Sequence, residues 1–555
     1  MLRRRILGVF LLYAFLLPSF TFAQAGVYTA PKADIDKIKD EGMNRSQVMQ
    51  TLSYLSDVIG QRLTASPSLL HANEWTRDTM MKWGMKNGHL EAWGPFGRGW
   101  VLKSFAAQVS SPYAIPLIGY PKAWAPGTNG VINADVVYLD AKDDAALEKY
   151  KGQLKGRIVL MSPIRDLKAD FTGIGKRDTD EDLAKMAAAP DPATVQRNNG
   201  QFTPEQIATR RAAQLFTAKR LVFIVNEGAA MAVDNSRGGF GGTVFVQQAT
   251  VAQEPPANLQ DPTFRRLTPY MKEAESHIIP QMTLATEHYN RLVRMIQQGE
   301  KLKMMVNVEA QYLDGDGMVN NTVAEIPGTD PKLKDEVVML GGHMDSWQSG
   351  TGATDNGAGV AVAMEAARIL MASGLKPRRT IRVALWSGEE QGLLGSRAYV
   401  KQHFGEMKNA PNNFGPLDPN APKPELVKGA DYEKLSAYYN LDNGTGKIRG
   451  VYMQGNTAVR PYFEAWLAPF ADMGAKTLTL SNTGGTDHLS FDAIGLPGFQ
   501  FIQDEIEYDT LTHHSNQDVF DRIQADDMKQ AATIMAAFVY QTAMMDEKMP
   551  RKVMK

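Results

Sequence analysis

The sequence predicts an α/β protein: a mixed, mostly parallel central sheet covered by helices on both faces, with an inserted β-rich domain. Beyond about residue 305, β-like segments alternate with helix-like segments, a pattern typical of a parallel sheet packed between helices. Between about 112 and 300, short β-like runs alternate with Gly- and Pro-rich loops. A chain of 555 residues is too long for one hydrophobic core, which agrees with a division into domains.

The first 25 residues are typical of a secretory signal peptide. Basic Arg3–Arg5 precede the apolar run Ile6–Leu17, and Ala23–Ala25 form an A-x-A cleavage pattern. The run is short against the roughly 20 residues of a membrane-spanning helix. We therefore expect export to the periplasm or the medium, with a mature chain that begins at Gly26.

The segments before and within the insert predict two helices and several strands. Apolar residues recur at helical spacing in "SQVMQTLSYLSDVI" and again in "ANEWTRDTMMKWGM". Further on, "ADVVYL", "RIVLMS" and "RLVFIVN" are expected to form strands. The polar stretch 166–207 is expected to be a mobile excursion from the insert.

The C-terminal half predicts the main α/β domain. Strands are expected at "TVAEIP", "EVVML", "RTIRVALW" and "LSAYYNL", and helices at "GVAVAMEAARILMAS", "GLLGSRAYVKQHF" and "ADDMKQAATIMAAFVYQTAMM". The Pro/Asn-rich segment 410–425 is expected to be a surface loop. Ligands of open α/β sheets bind beyond the carboxyl ends of parallel strands, so functional residues are expected there.

Net charge and cysteine content exclude several classes of function. The formal net charge is −1, so neither nucleic acid nor, after signal cleavage, a membrane is expected as a partner. The chain contains no cysteine, which excludes disulfides, thiol nucleophiles and thiolate metal sites. Any metal ion must be held by His, Asp and Glu.

Histidines and carboxylates follow the predicted strands. The loop "GGHMDSWQSGTGATDNGAG" is rich in glycine, but its aspartates would repel phosphate and it offers no cation, which argues against a phosphate cradle. The chain also has no G-x-S-x-G elbow, which disfavours a serine hydrolase. The candidate residues at the strand ends are His343, Asp345, Asp355, Glu389, Glu390, Asp442, His513, His514 and Asp518.

This donor set predicts a metal centre. Two histidines with four or five carboxylates suit borderline and hard divalent cations such as zinc. Five ligating side chains are too many for one tetrahedral zinc with an open position. They suit two ions that share a bridging carboxylate.

Several motifs resemble, in order and spacing, those of the co-catalytic di-zinc exopeptidases. They are "GGHMDSWQSGTGATDNGAG", "RTIRVALWSGEEQGLLGS", "GGTDHLSF" and "HHSNQD", with "IGQRLTASPSLLHANEWT" nearer the N-terminus. This family includes bacterial leucyl aminopeptidases, glutamate carboxypeptidase and carboxypeptidase Q, and the resemblance is greatest to its carboxypeptidase Q-like members. Within the insert, "KGRIVLMSPI" and "AAQLFTAKRLVFIVNEG" resemble a protease-associated domain.

The resemblance implies a zinc exopeptidase fold and a division of the chain. After the signal peptide, residues 26–111 would form the N-terminal part of the catalytic domain. Residues 112–300 would form the protease-associated-like insert, and residues 301–555 the main catalytic peptidase domain.

The resemblance also implies a set of metal ligands for two Zn²⁺ per chain. His343 and Asp442 would hold the first zinc ion, and Glu390 and His514 the second. Asp355 would bridge both ions.

Other roles follow from the same resemblance. Glu389 would be the general base, and Asp345 would hydrogen-bond the free N–H of His343. His514 is preferred to His513 as ligand because it directly precedes serine in the motif, and His488 is a less favoured alternative that would line or buttress the site.

The implied function is that of an exported di-zinc metallo-exopeptidase that hydrolyses short peptides or dipeptides by metal-activated water with a Glu base. An aminopeptidase of the same family and a catalytically silent peptide-binding relative stay open as alternatives. A di-zinc peptidase with a separate lid domain and a one-zinc glutaminyl cyclase are less favoured. The motifs do not distinguish an aminopeptidase from a carboxypeptidase or a dipeptidase. A homodimer is expected by resemblance alone.

Overall fold

The computed structural model describes most of the chain. The described residues are 26–194, 203–254, 256, 264–409 and 422–553. The predicted signal peptide and most of the predicted 410–425 loop lie outside the described residues. No helix within the described ranges is long and apolar enough to cross a membrane.

Helices lie in both halves of the chain. They are α1 Lys32–Asn44, α2 Val48–Ser53, α3 Pro67–Lys82, α4 Asp144–Glu148, α5 Asp180–Ala187, α6 Pro204–Asn226, α7 Thr286–Gln297, α8 Ala358–Ala372, α9 Leu394–His403, α10 Arg460–Leu467, α11 His488–Asp492 and α12 Ala525–Met544.

The strands form two large sheets and one small hairpin. They are β1 Lys86–Trp93, β2 Gly99–Ser111, β3 Ile115–Pro116, β4 Gly119–Pro121, β5 Ile132–Tyr138, β6 Ile158–Leu160, β7 Met231–Asn235, β8 Gln281–Leu284, β9 Lys303–Leu313, β10 Val319–Ile326, β11 Val337–His343, β12 Thr380–Trp386, β13 Gly405–Lys408, β14 Glu425–Lys428, β15 Leu435–Asn440, β16 Ile448–Tyr452, β17 Thr477–Thr479 and β18 Gly498–Gln503.

The first large sheet is mixed and has the strand order β1-β10-β12-β11-β15-β18-β16-β17. At its centre β12, β11, β15 and β18 run parallel, whereas β10 pairs with β12 and β16 with β18 in antiparallel fashion. The predicted α/β class is confirmed by this arrangement. The parallel strands present their carboxyl ends at one edge of the sheet.

Helices cover both faces of the first sheet because its central strands are apolar on both sides. Along β11, Val338 and Leu340 pack into the core that contains α8 and α12. The intervening Val337 and Met339 pack into the core that contains α9 and α11. This alternation follows from the two-residue period of a strand. The result is a sheet between two helical layers, which holds the strand ends rigidly.

Glycine at the end of β11 allows a loop to approach the sheet closely. A Cβ atom on Gly342 would lie 3.2 Å from Asn356 Nδ2 and 3.3 Å from the carbonyl carbon of Gly359. A Cβ on Gly359 would lie 2.2 Å from the carbonyl oxygen of Leu441. The start of α8 therefore lies directly against the ends of β11 and β15, which places the loop before α8 at the carboxyl edge of the sheet.

The second large sheet has the order β3-β2-β9-β5-β6-β7-β8-β4. Strands β5 to β8 are parallel, and the long β2 and β9 pair antiparallel beside them. Apolar residues of α7 cover one face of the parallel part and those of α6 the other. Because β2 and β9 belong to this sheet, it extends on both sides beyond the predicted 112–300 segment.

The prediction of a strand at "RLVFIVN" is wrong, since these residues form the last turns of α6. Thr203 accepts a hydrogen bond from Gln206 N, and the Gln206 side chain accepts one from Thr203 N, which starts the helix as a capping box. Leu221 and Ile224 are three residues apart and both pack into one core. Helical spacing and the cap outweigh the strand preference of the β-branched residues.

The stretch 166–207 is only partly described, and its described part is anchored rather than a free excursion. Lys176 and Ile506 exchange two main-chain hydrogen bonds of 2.7 and 2.9 Å. Arg177 pairs with Asp504 at 2.9 Å and with Asp527 at 2.7 Å. These contacts tie the segment to the end of β18 and to α12.

Candidate metal centre

The carboxyl edge of the first sheet brings one histidine and three acidic residues together. His343 is the last residue of β11, and its Nε2 atom lies 3.2 Å from Asp355 Oδ1. The same nitrogen lies 3.5 Å from Asp442 Oδ2, beyond β15, and 3.9 Å from Glu389 Oε2, beyond β12. These donors form the first cluster of the site.

A second cluster forms around His514. Its Nε2 atom lies 2.9 Å from Glu390 Oε2 and 3.2 Å from Asp355 Oδ2. His513 is farther away, with its Nε2 at 3.9 Å from Asp355 Oδ2, and its ring stacks on Tyr508 at 4.7 Å between centroids. Of the two histidines, His514 therefore lies closer to the carboxylates.

Asp355 lies between the two clusters. Its Oδ1 faces His343 and its Oδ2 faces His514. The residue belongs to the irregular turn Ala353–Gly357, which leads directly into α8. One carboxylate that presents one oxygen to each cluster has the placement of a bridging ligand.

The site is buried and rich in negative charge. His343, Asp355 and Asp442 are each at most 3% exposed. Burial and the charge of Asp355 raise the pKa of Glu390 to about 7, against the opposing effect of His514. Burial also raises the pKa of Glu389 well above its usual range, since His343 lowers it less than burial and the neighbouring carboxylates raise it. Carboxylates in such surroundings need compensating positive charge.

Unpaired oxygen atoms indicate where that positive charge would bind. Asp355 Oδ2 and Glu390 Oε1 are buried and accept no hydrogen bond from the described residues. Among the described residues, no Lys or Arg lies within 4.0 Å of the carboxylates of Asp355, Glu389, Glu390 or Asp442. Groups of ligand atoms compatible with a metal ion occur on both sides of Asp355. The residues present therefore fit two cations.

The structure changes the predicted role of Asp345. His343 Nδ1 lies 3.0 Å from the main-chain oxygen of Asp345, whereas the Asp345 carboxylate is 3.7 Å away. That carboxylate instead accepts hydrogen bonds from the main-chain N–H groups of Glu389 and Glu390, each at 3.2 Å. A third bond comes from Thr64 Oγ1 at 3.0 Å. Asp345 thus positions both glutamates, and the carbonyl orients the histidine.

His488 joins neither cluster within the described part of the chain. Its Nε2 lies 3.2 Å from the main-chain oxygen of Thr483. Burial lowers the pKa of His488 to about 4, so its ring is neutral at pH 7. This placement agrees with a supporting role rather than with a ligand.

The structure shows contacts of three further residues near the centre, of which the sequence had singled out only Asp518. Trp347 Nε1 donates a 2.7 Å hydrogen bond to Glu390 Oε2. Asp518 Oδ1 accepts from Thr354 N and Oγ1 at 2.5 and 2.9 Å, beside Asp355. Asp487 is fully buried near Glu389, and burial raises its pKa to about 7. These residues lie inside the quoted motifs, but spacing alone gave no sign of their contacts.

Arg62 supports the loop that follows β11. It is fully buried, and its guanidinium donates to the carbonyl oxygens of Leu55, Gly60, Met344, Thr351 and Gly352. All five of these hydrogen bonds go to main-chain oxygens. Arg62 therefore fixes the path of the loop and is not free to bind a ligand.

The loop that carries His514 is held by residues of the second sheet's half of the chain. Val246 N donates to His514 O at 3.1 Å, and Asn516 N donates to Val244 O at 3.2 Å. The Asn516 side chain accepts from Val244 N at 2.7 Å and donates to Gly242 O at 3.3 Å. His514 itself has a φ of 63°, a left-handed conformation that a non-glycine residue adopts only at a cost.

A family profile matches the part of the chain that contains most of this site. The matching family is Peptidase family M28, over residues 321–539. Among curated proteins, the chain is 31% identical to carboxypeptidase Q of Mus musculus over 274 residues, 49% of this chain and 52% of that protein. It is 27% identical to aminopeptidase YwaD of Bacillus subtilis (strain 168), over 50% of this chain and 54% of that protein. The chain thus spans about half the length of these relatives.

Solved structures share the fold over almost the whole chain. A peptidase M28 precursor from Shewanella amazonensis matches with a TM-score of 0.62 and 21% identity, covering 94% of this chain and 99% of that one. A zinc aminopeptidase from Bacillus subtilis matches with a TM-score of 0.52 and 17% identity, covering 90% of this chain and 96% of that one. At these identities the likeness establishes the fold.

Proposed function

Because residues 321–539 match the profile of Peptidase family M28, we propose that the chain is a member of this family and a di-zinc metallo-exopeptidase that hydrolyses peptide bonds in short peptides or dipeptides. The observation that carries this proposal is the placement of Asp355, with one carboxylate oxygen towards His343 and the other towards His514. The similarity to carboxypeptidase Q supports the substrate class. An aminopeptidase is the alternative, supported by the similarity to aminopeptidase YwaD.

Each side of the site offers a histidine and a terminal carboxylate to one zinc ion. His343 and Asp442 would hold the first ion, His514 and Glu390 the second, and Asp355 would bridge them. Nitrogen and carboxylate oxygen donors suit zinc. When bound, the pair would supply an activated water and polarise the peptide carbonyl.

Glu389 is the residue best placed to move protons. Its main-chain N–H is fixed by Asp345, and its side chain lies on the His343 side of the site. The next residue, Glu390, turns towards His514, so the two neighbours are free to take different roles. Glu389 would take the proton of the attacking water and return it to the leaving amine.

The first experiment replaces Glu389 by Gln in purified, zinc-loaded protein. Two zinc ions per chain are expected by elemental analysis in both proteins, because Glu389 is not a ligand in this scheme. Hydrolysis of a short peptide is expected to fall about 10²- to 10⁴-fold, the usual contribution of a general base. Equal activity in both proteins would refute the role of Glu389, and one zinc ion per chain would favour a mononuclear relative.

Export and assembly are part of the same proposal. Export through residues 1–25 is tested by N-terminal sequencing of protein secreted from the native host, where a start at Gly26 is expected. A homodimer, which rests on family resemblance, is tested by sedimentation of the mature chain. Residues 112–300 would form a protease-associated-like domain, which is supported by the presence of a separate second sheet.

A further inference from the structure

Direction of cleavage depends on which charged end of the substrate the protein binds. A carboxypeptidase needs a cation for the terminal carboxylate, next to the metal pair, and an arginine suits a carboxylate best because its planar fork donates two parallel hydrogen bonds. Such a cation would lie near the His513–His514 loop, would be oriented by its surroundings and would have no carboxylate partner of its own.

Most cations near this loop are already paired. Arg522 lies 3.1 Å from Glu507, and Lys176 lies 3.9 Å from Glu505. Arg62 is fully buried and saturated by main-chain oxygens. These side chains serve the fold and leave no charge to offer a substrate.

Arg237 differs from all of these. It is exposed, and it has no carboxylate within 4.0 Å among the described residues. Its guanidinium lies 5.1 Å from the centre of the Phe245 ring, and its NH2 group is 3.5 Å from the main-chain oxygen of His513. Stacking on a ring leaves the N–H edge of a guanidinium available to a planar anion.

The loop that carries Arg237 is fixed in position. Arg165 donates to Gly238 O at 2.9 Å and also to Gly239 O, and Ser236 Oγ donates to Gly238 O at 2.9 Å. Gly239 has a φ of 73°, and a Cβ there would lie 2.7 Å from Thr243 Cβ. The glycine thus permits the tight turn that packs against Phe245. A held loop lowers the entropy cost of binding, so Arg237 is preorganised.

His513 connects Arg237 with the metal centre. Its main-chain oxygen is 3.5 Å from Arg237 NH2, and its Nε2 is 3.9 Å from Asp355 Oδ2, so this one residue contacts both. In a substrate cleaved at its last peptide bond, one residue likewise lies between the scissile carbonyl and the terminal carboxylate, so Arg237 is placed on the side of the centre where such a carboxylate could lie.

We propose that Arg237 binds the α-carboxylate of the substrate, which makes the protein a carboxypeptidase. This inference rests on the proposed peptidase function. In the reaction, water adds to the carbonyl, the last C–N bond breaks, and the leaving amine takes up a proton, while the α-carboxylate stays ionised and bound to Arg237. The direction of exopeptidase action is therefore set by a residue that follows β7 of the second large sheet. This residue lies outside the segment matched by the family profile.

The test compares two substrates in wild type, Arg237→Gln and Arg237→Lys. Acetyl-Ala-Ala offers only the free carboxylate, and Ala-Ala-amide offers only the free amine. We expect wild type to prefer acetyl-Ala-Ala. In Arg237→Gln, kcat/KM for acetyl-Ala-Ala should fall roughly 10- to 100-fold, with no change for Ala-Ala-amide. The lysine variant should recover part of the loss, because it keeps the charge without the fork.

A matched control is Arg291→Gln. Arg291 is also exposed, lies 5.9 Å from the ring of Tyr113 and has no described carboxylate partner, but it is on α7 and makes no described hydrogen bond to the His513–His514 loop. This variant should behave as wild type with both substrates. Zinc content is measured in all variants, so that an indirect loss of metal is recognised.

Two results would overturn the assignment of Arg237. One is an unchanged ratio of the two kcat/KM values in Arg237→Gln, and the other is a wild type that prefers Ala-Ala-amide. If Arg237→Gln affects only a substrate with an acidic side chain, such as acetyl-Ala-Asp-amide, the arginine recognises that side chain and the α-carboxylate assignment also fails.

Failure of the proposed function is recognised separately. Acetyl-Ala-Ala is titrated calorimetrically into the zinc-loaded Glu389→Gln protein, with and without Arg237→Gln. Weaker binding in the double variant supports the role of Arg237 even if wild type cleaves no peptide, and equal binding refutes it. Equal hydrolysis by wild type and Glu389→Gln refutes the proposed mechanism and leaves this titration interpretable.

Discussion

Replacing Asn516 by Ala tests whether the 242–246 segment helps to position the His514 side of the metal centre. The Asn516 side chain joins the His514 loop to the 242–246 segment by two hydrogen bonds, of 2.7 Å from Val244 N and 3.3 Å to Gly242 O. Neither Val244 nor Asn516 is a proposed metal ligand. Any change in metal binding must therefore pass through the position of the loop.

The expected magnitude follows from the groups left unpaired. Val244 is fully buried, and leaving its N–H without an acceptor costs about 1–3 kcal/mol, while loss of the second bond costs about 0.5–1.5 kcal/mol. The main-chain bonds between His514 and Val246 and between Asn516 and Val244 remain, so the loop is loosened rather than released. We expect a cost in the lower part of this range. Since about 1.4 kcal/mol corresponds to a tenfold change in a dissociation constant, the affinity for the ion at His514 should fall roughly tenfold.

The assay is metal retention against increasing concentrations of a competing chelator. In Asn516→Ala one zinc ion should leave at a lower chelator concentration than in wild type, and the other should leave at the same concentration. Asn456→Ala is the matched control, because it also removes a buried amide, which donates at 2.7 Å to Pro550 O, without touching the His514 loop. Superimposable curves for Asn516→Ala and wild type, or parallel loss of both ions in both variants, would refute the reasoning.

Two further substitutions test the centre itself. Asp355→Asn removes the charge that both clusters share, so the zinc content should fall below two ions per chain with an unchanged circular dichroism spectrum; full retention would exclude a bridging role. Trp347→Phe removes the N–H donor to Glu390 Oε2, and loss of such a supporting bond should weaken one ion about 10- to 100-fold in the same chelator assay, with Trp466→Phe as the control for loss of an indole elsewhere.

The parts of the site that lie on regular elements could be predicted from sequence. His343, Glu389 and Asp442 each lie at or just beyond the end of a strand that is recognisable by its apolar residues. Parallel strands present these ends at one edge, so their proximity follows from the fold class. Asp355 was recognisable because it precedes the apolar helix α8 at short range.

Contacts between distant segments could not be predicted in this way. The Asp345 side chain was expected at His343, but two main-chain N–H groups on another strand end compete for it successfully. The Asp345 carboxylate gains more free energy from two fixed main-chain N–H donors than it would from His343 Nδ1. That nitrogen already has a partner in the main-chain oxygen of Asp345. Which of the two arrangements forms depends on the register of β11 and β12, and the spacing of apolar residues does not specify that register.

The pairing of the 242–246 segment with the His514 loop could not be predicted from the sequence either. About 270 residues separate the partners, and neither segment has a regular spacing of apolar residues. Its consequence is nevertheless functional. The segment that begins at Arg237 ends at Val246, which bonds the main chain of His514. If Arg237 binds the substrate's carboxylate, then the same short segment both receives the substrate and holds one metal ligand in its left-handed conformation. Substrate binding and retention of the second ion should therefore be thermodynamically coupled, and by reciprocity a bound dipeptide analogue should delay the loss of that ion to a chelator in wild type but not in Arg237→Gln.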